Sequence, residues 1–275
     1  MHLLIATGGD EHSEQAVRLG AQLARTAQGA VTILTIVEDE NDRSKADAIL
    51  TQASSLVGSE EIEVKSKVSV GEIATEIVRE AEDGNCDLLV IGSRPSHGFL
   101  KRLLGPTSER VMAHSPCPVL IAKGKARSFH NVLVCSSGAN GYEGPSRAVT
   151  HLASIFSGTE ITLLHVMSQI SASPDVREGW QLQATASELM EEDTPEGRLL
   201  EERVEMLERS GFQVKAKVRH GLVVDEILEE SHSGNYDLVV IGAHSTTGWK
   251  RFLLDDVAHQ LVIQLDRPVL VVQTR

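Results

Sequence analysis

Long apolar runs, a basic leader, paired cysteines and an excess of positive charge are all missing from this chain, and each absence removes a class of function. No stretch is long and apolar enough to span a bilayer. The opening Met1-His2-Leu3-Leu4-Ile5-Ala6 has neither the basic n-region nor the apolar run of an export signal. A soluble, cytoplasmic protein is therefore expected. The cysteines Cys86, Cys117 and Cys135 are odd in number and widely spaced, without a C-x-x-C. A disulfide framework or zinc site does not fit them, and reduced thiols do. The formal net charge is −13, which repels phosphate backbones and anionic lipid, so neither nucleic acid nor a membrane is an expected partner. Up to residue 127 there are 14 basic and 18 acidic side chains (14 − 18 = −4), and beyond it 12 and 21 (12 − 21 = −9). We read this charge as a means of solubility.

Catalytic signatures are missing as well. There is no G-x4-G-K-[ST] phosphate loop and no G-x-S-x-G elbow. None of the 11 histidines stands in an H-E-x-x-H zinc signature. Thr7-Gly8-Gly9-Asp10 is followed by Glu11-His12, where a pyrophosphatase-type loop would need Asp-Ser. Ser136-Ser137-Gly138 is too short a match to carry a nucleophile. No catalytic residue and no metal site is assigned, and a binding protein fits better than an enzyme.

What the chain does have is a repeat. Asp87-Leu88-Leu89-Val90-Ile91-Gly92 matches Asp237-Leu238-Val239-Val240-Ile241-Gly242 at a shift of 150. The same shift joins Gly71 to Gly221, Gly98 to Gly248, Leu103-Leu104 to Leu253-Leu254, and Pro118-Val119-Leu120 to Pro268-Val269-Leu270. Nearer the start of each half the shift is 130, as in Val31-Thr32-Ile33-Leu34 and Ile161-Thr162-Leu163-Leu164. The second half therefore carries about twenty extra residues, roughly 168–197, read as a polar loop with an extra helix. The expected domains are 1–124 and 129–275, with 125–128 as linker.

Each half alternates short Val/Ile/Leu-rich runs with helical segments. In the first half the runs are 2–7, 31–37, 62–68, 87–92 and 118–122. This pattern predicts an α/β fold, two tandem doubly wound domains each with a five-stranded parallel sheet. Ile73, Ile77, Val78 and Ala81 make one helical stripe. Thr194-Pro195 reads as a helix start, with Leu200, Val204 and Leu207 as that helix's apolar face. In such sheets ligands bind at the carboxyl ends of the strands. In the first half those ends are Gly8, Gly9 and Asp10, then Val37, then Gly92 and its successors.

Several segments resemble the universal stress protein family. They are Glu11-His12-Ser13-Glu14-Gln15-Ala16-Val17, Asp87 to Ser93, Gly98-Phe99-Leu100-Lys101-Arg102-Leu103-Leu104-Gly105, Glu109-Arg110-Val111, and Ser115-Pro116-Cys117-Pro118-Val119-Leu120-Ile121. Weaker echoes run through Asp237 to Gly242, Gly248 to Leu254 and Asp266 to Val272. The nucleotide-binding members carry G-x2-G-x9-G-[ST] after the fourth strand. Glycines let phosphate approach the backbone, and the last pair opens a helix whose N–H groups favour an anion. The matching positions are Gly92, Pro95, Gly105 and Pro106, then Gly242, Ser245, Asp255 and Asp256. Neither half has the full motif. The family's acidic residue after strand one is replaced by Gly8 and Ser137, with Asp10 as a candidate substitute.

The resemblance implies a stress-response binding or regulatory protein that works through dimerisation. It implies ATP or a related adenine nucleotide in the first domain only, at Gly8, Gly9, Asp10, Val37, Gly92, Arg94, Gly98, Gly105, Thr107 and Ser108. Arg94, Lys101 and Arg102 would supply positive charge. In the second half Asp255 and Asp256 would cap the equivalent helix and repel phosphate. A homodimer is expected. The alternatives are a scaffold whose sites have both decayed and a slow ATP hydrolase. The two terminal apolar strands are expected to pair antiparallel within one chain.

Overall fold

The computed structural model describes residues 1–58, 62–93, 105–124, 128–136, 144–167, 183–243 and 256–273. Two compact units are present. The first comprises Met1–Ser128 with Ala243–Gln273, and the second Phe129–Gly242. The last segment of the second repeat thus belongs to the unit built by the first repeat.

The strands of the first repeat are β1 (His2–Ala6), β2 (Ala30–Val37), β3 (Val64–Val70), β4 (Leu88–Gly92) and β5 (Val119–Ala122). Between them run the helices α1 (Glu11–Ala27), α2 (Arg43–Val57), α3 (Ile73–Asp83) and α4 (Pro106–His114). The second repeat supplies β6 (Asn131–Ser136), α5 (Gly144–His151), β7 (Glu160–Met167), α6 (Ala186–Glu191), α7 (Pro195–Arg209), β8 (Gln213–His220), α8 (Val223–Ser233), β9 (Leu238–Ala243), α9 (Asp256–Gln264) and β10 (Val269–Gln273).

In the first unit the strand order is β3-β2-β1-β4-β5-β10. The first five strands are parallel, and β10 joins β5 antiparallel, with Leu120 opposite Leu270. The two terminal strands meet as the sequence suggests, because each would otherwise be an apolar edge. In the second unit β9, β6, β7 and β8 lie side by side, all parallel. Both units have the doubly wound α/β character read from the sequence.

Leu3, Leu4 and Ile5 of β1 are fully buried. A central strand covered by helices on both faces needs an unbroken apolar run, and each such side chain contributes roughly 1.5–3 kcal/mol by leaving water. β3 is an edge strand and exposes Lys65, Ser66 and Lys67. Charge on an edge discourages further strand addition. After β3 and β8 the chain turns at Gly71 and Gly221, with φ +147° and +153°. Those values favour glycine, which explains why both repeats keep it.

Two helical faces differ from their expected stripes. In α3 the buried positions are Ala74, Glu76, Ile77 and Ala81, while Ile73 is 38% exposed. In α7 the buried face is Leu200, Arg203 and Leu207 rather than Leu200, Val204 and Leu207. A helical stripe can turn by one residue without changing its period, and the polarity of Arg203 hides that shift from a hydrophobicity reading.

Candidate functional site

At the carboxyl edge of the first unit's sheet lies a cleft of about 420 Å³. Its walls are aliphatic: Ile36 from β2, Ile73 and Ile77 from α3, Ile91 from β4 and Val111 from α4. Its polar lining comes from three chain segments: Thr7 and Gly8 after β1, Asp10, His12 and Ser13 at the start of α1, and Gly105, Thr107 and Ser108 at the start of α4. A cleft of this kind, mostly apolar with a few convergent polar groups, is the usual form of a small-molecule site.

The two helix starts that meet the cleft differ in electrostatic state. At α1, Asp10 is the N-cap: its carboxylate accepts from the Ser13 amide at 2.8 Å, and the Asp10 amide donates to Ser13 Oγ at 3.1 Å. Thr7 Oγ1 donates to Ser13 Oγ at 3.2 Å and accepts from the Gly9 amide at 3.2 Å. This helix end is thus satisfied by its own side chains. At α4 the N-cap is Gly105, with no side-chain cap, and Pro106 opens the helix. Among the described residues no side chain caps the Thr107 and Ser108 amides, so the helix dipole and these N–H donors face the cleft.

The glycines divide by cause. A methyl group on Gly92 would lie 2.4 Å from the His12 carbonyl oxygen and 2.9 Å from the Ser13 amide nitrogen. Close packing of β4 on α1 is therefore reason enough for Gly92. A methyl group on Gly8 or Gly105 would meet nothing within 4 Å among the described residues, and φ at Gly105 is −68°. Neither packing nor backbone geometry demands glycine at Gly105, and no contact demands it at Gly8.

Of the residues named from the sequence, Gly8, Asp10, Gly92, Gly105, Thr107 and Ser108 line this one cleft. Gly9 is not among the lining residues, and its Cα faces Ile49 of α2. At the end of β2 it is Ile36, not Val37, that faces the cleft. Adjacent strand residues point to opposite faces, so a one-residue choice decides this. Arg94 and Gly98 lie outside the described residues, as do Lys101, Arg102, Ser137 and Asp255 and the side chain of Asp256. α9 does begin at Asp256, as α4 begins at the equivalent Pro106.

The carboxyl ends of β6, β7 and β8 in the second unit are built differently. Arg203, 2% exposed, donates from Nη1 to Ser136 Oγ. His165, 5% exposed, sits beside them. Burial, and then the Arg203 charge, hold the His165 imidazole below its ordinary pKa, against the opposing effect of its bond to the Ser136 backbone. By the repeat's register these side chains stand where the first repeat has Thr7, Thr35 and Ala53. The bond from His165 to the Ser136 backbone parallels that from Thr35 Oγ1 to the Thr7 carbonyl, 3.1 Å. His220, at the end of β8, lies 2.9 Å through Nε2 from the Ala184 carbonyl, in the inserted segment just before α6. The spacing of polar residues gave no sign that Arg203, Ser136 and His165 would meet, because they come from three separate elements.

None of the cysteines is disulfide-bonded, and all three are buried. Burial pushes the Cys86 and Cys135 thiols up to about 12, which keeps them protonated and poor nucleophiles at neutral pH. Among the described residues no helix is long and apolar enough to cross a membrane.

Parallel α/β units with a cleft at the strand ends define the doubly wound class of fold. Within that class, the family model described as the universal stress protein family matches residues 1–123 and again 129–273. The chain belongs to that family, in its tandem form. It is 22% identical over 99% of its length to a universal stress protein of Mycolicibacterium smegmatis, 97% of which is covered. One repeat's length, 44% of the chain, is 25% identical to universal stress protein YxiE of Bacillus subtilis, 97% of which is covered. The fold matches the crystal structure of a universal stress protein from Archaeoglobus fulgidus with TM-score 0.74 at 20% identity, over 99% of this chain and 98% of that one.

Proposed function

We propose that this chain is a cytoplasmic stress-response binding protein whose first unit holds one adenine nucleotide such as ATP. The observation that carries the reading is the cleft itself, which runs from an aliphatic wall to the uncapped start of α4. Ile36, Ile73, Ile77, Ile91 and Val111 suit the flat apolar face of a nucleoside. Gly105 leaves room for phosphate oxygens, and the Thr107 and Ser108 amides and hydroxyls supply donors. Arg94 and Gly98, close by in sequence, complete the proposed set with Gly8, Asp10 and Gly92. We read the protein as acting by binding and not by turnover, since a slow ATP hydrolase would need a general base and a metal-phosphate clamp near Arg94 and Thr107.

For the second repeat a ligand-free role is favoured by a specific observation, the buried Arg203–Ser136 contact with His165 beside it. By the repeat's shift of 150, Asp255 and Asp256 match Gly105 and Pro106, so the sequence puts negative charge where the first repeat has none. The assembly we propose is a homodimer, which light scattering tests directly, and a monomer at high concentration would refute it. Native mass spectrometry of gently purified protein tests the nucleotide reading. A co-purified adenine nucleotide is expected at one per chain. Its absence, together with no heat on titration with ATP and magnesium, would replace this reading with that of a scaffold.

A further inference from the structure

The contacts that seat the C-terminal segment on the first repeat obey a two-fold relation. β5 and β10 cross with Leu120 opposite Leu270, and with Val119 and Ile121 opposite Val271 and Val269. Under the repeat's shift of 150, Leu120 and Leu270 are the same position, so the local axis passes between them. Lys123 and Gln273 are also equivalent. Lys123 Nζ donates to the Val262 carbonyl, and Gln273 Nε2 donates to the Met112 carbonyl at 2.6 Å. Met112 and Val262 are themselves equivalent. A third pair of equivalent positions, Glu109 of α4 and His259 of α9, meets at 2.8 Å between Oε1 and Nε2.

The first two sets do not distinguish one copy of the repeat from the other. Any two such apolar strands could pair, and lysine or glutamine can donate equally to a carbonyl. The third set does distinguish them. An ionised carboxylate only accepts hydrogen bonds, whereas an imidazole can present an N–H. Two first-repeat surfaces brought together would set Glu109 against the Glu109 of a second copy, which pairs like charges with no donor between them.

We propose that Glu109 and His259 are a partner-choice lock: the α4–β5 surface accepts this chain's own C-terminal segment and refuses the same surface of a second copy. The covalent link already raises the effective concentration of the internal partner. The lock adds discrimination when two chains meet, by an unfavourable contact in the wrong pairing as well as a favourable one in the right pairing. The two side chains are 38% and 31% exposed, so the bias is moderate, about three- to tenfold.

Two experiments on the full chain test this. Hydrogen exchange of the Val269–Val272 amides reads the opening of the docked segment. His259→Glu should speed it about three- to tenfold, and the charge-swapped double variant Glu109→Lys with His259→Glu should bring it back to within about twofold of wild type. A double variant as fast as His259→Glu alone, or a His259→Glu variant no faster than wild type, would overturn the proposal. The second experiment reads partner choice. Leu120→Cys places a thiol at the two-fold axis, so that pairing of two first-repeat surfaces traps a disulfide-linked dimer under mild oxidation. Adding Glu109→Gln removes the like-charge contact and should raise the yield of that dimer about three- to tenfold. Equal yields with and without Glu109→Gln would show that Glu109 does not govern the choice.

Discussion

Gly92 and Gly105 both line the cleft, yet different forces select them. Gly92 presses on backbone atoms of α1, which cannot swing aside as a side chain would. Gly92→Ala should therefore cost about 1–3 kcal/mol in thermal or urea unfolding without any nucleotide present. Gly105→Ala adds its methyl group to open space and should cost under about 1 kcal/mol. If glycine at Gly105 serves phosphate approach, that variant should still weaken ATP binding in a calorimetric titration. Replacing Thr107 and Ser108 together by alanine removes two hydroxyl donors. If they contact phosphate, the loss should be about tenfold or more, at roughly 1.5–3 kcal/mol for each hydrogen bond to a charged group. His165 carries the clearest pH signature. Its folded pKa is depressed, chiefly by burial and then by Arg203, so the unfolded chain binds a proton more readily than the folded one. The stability it contributes is complete above the unfolded value of about 6.5 and is lost as pH falls from there through the folded value. Urea midpoints measured from pH 8 to pH 5 should fall in that window, and His165→Thr, the residue type of the first repeat, should flatten the fall. An unchanged slope in that variant would assign the pH dependence to other groups.

At the scale of elements, α7 shows how much of a helix is local. Thr194 caps it by accepting from the Gly197 amide at 3.0 Å, and Pro195 fills the first position. Both roles follow from residue types that suit a helix start and nothing else. Thr194→Ala should cost about 1 kcal/mol, readable as faster hydrogen exchange in the first turn of α7. Which face of α7 is buried was not legible in the same way. Arg203 occupies a core position because Ser136 and His165 lie under it, and that meeting depends on how α7 packs over β6 and β7. Arg203→Leu should be tolerated better than Arg203→Ala, because leucine fills more of the volume while either removes the buried charge. Ile73 makes the converse case. Its place in the apolar stripe is plain from spacing, but its position beside the cleft depends on where α3 starts after the Gly71 turn. The cleft gathers Gly8, Asp10, Gly92, Gly105, Thr107 and Ser108 at one place, although they span about a hundred residues. The sequence pointed to that gathering through strand order, since ligand sites of doubly wound sheets lie at the strand ends.

For the whole molecule, the tandem arrangement makes the two repeats unequal. If the first cleft is the nucleotide site, titration with ATP and magnesium should saturate near one per chain, and replacing Asp255 and Asp256 by Gly and Ser should move it towards two. A wild-type stoichiometry of two would mean that neither the carboxylates nor the Arg203 cluster closes the second repeat. The sequence by itself determined the repeat, the alternation of strand and helix and the helix starts. Those features are set by short-range rules, apolar periodicity and capping chemistry. The antiparallel pairing of the terminal strands followed from the family resemblance together with their apolar edges. Only the tertiary structure decided that Ala243–Gln273 belongs to the first unit, that Ile36 and not Val37 faces the cleft, and that Arg203 is buried with Ser136 and His165. Each of these depends on contacts between residues far apart in the chain. A period of two or 3.6 gives the spacing of a face, but the neighbour that covers the face decides which residues it contains.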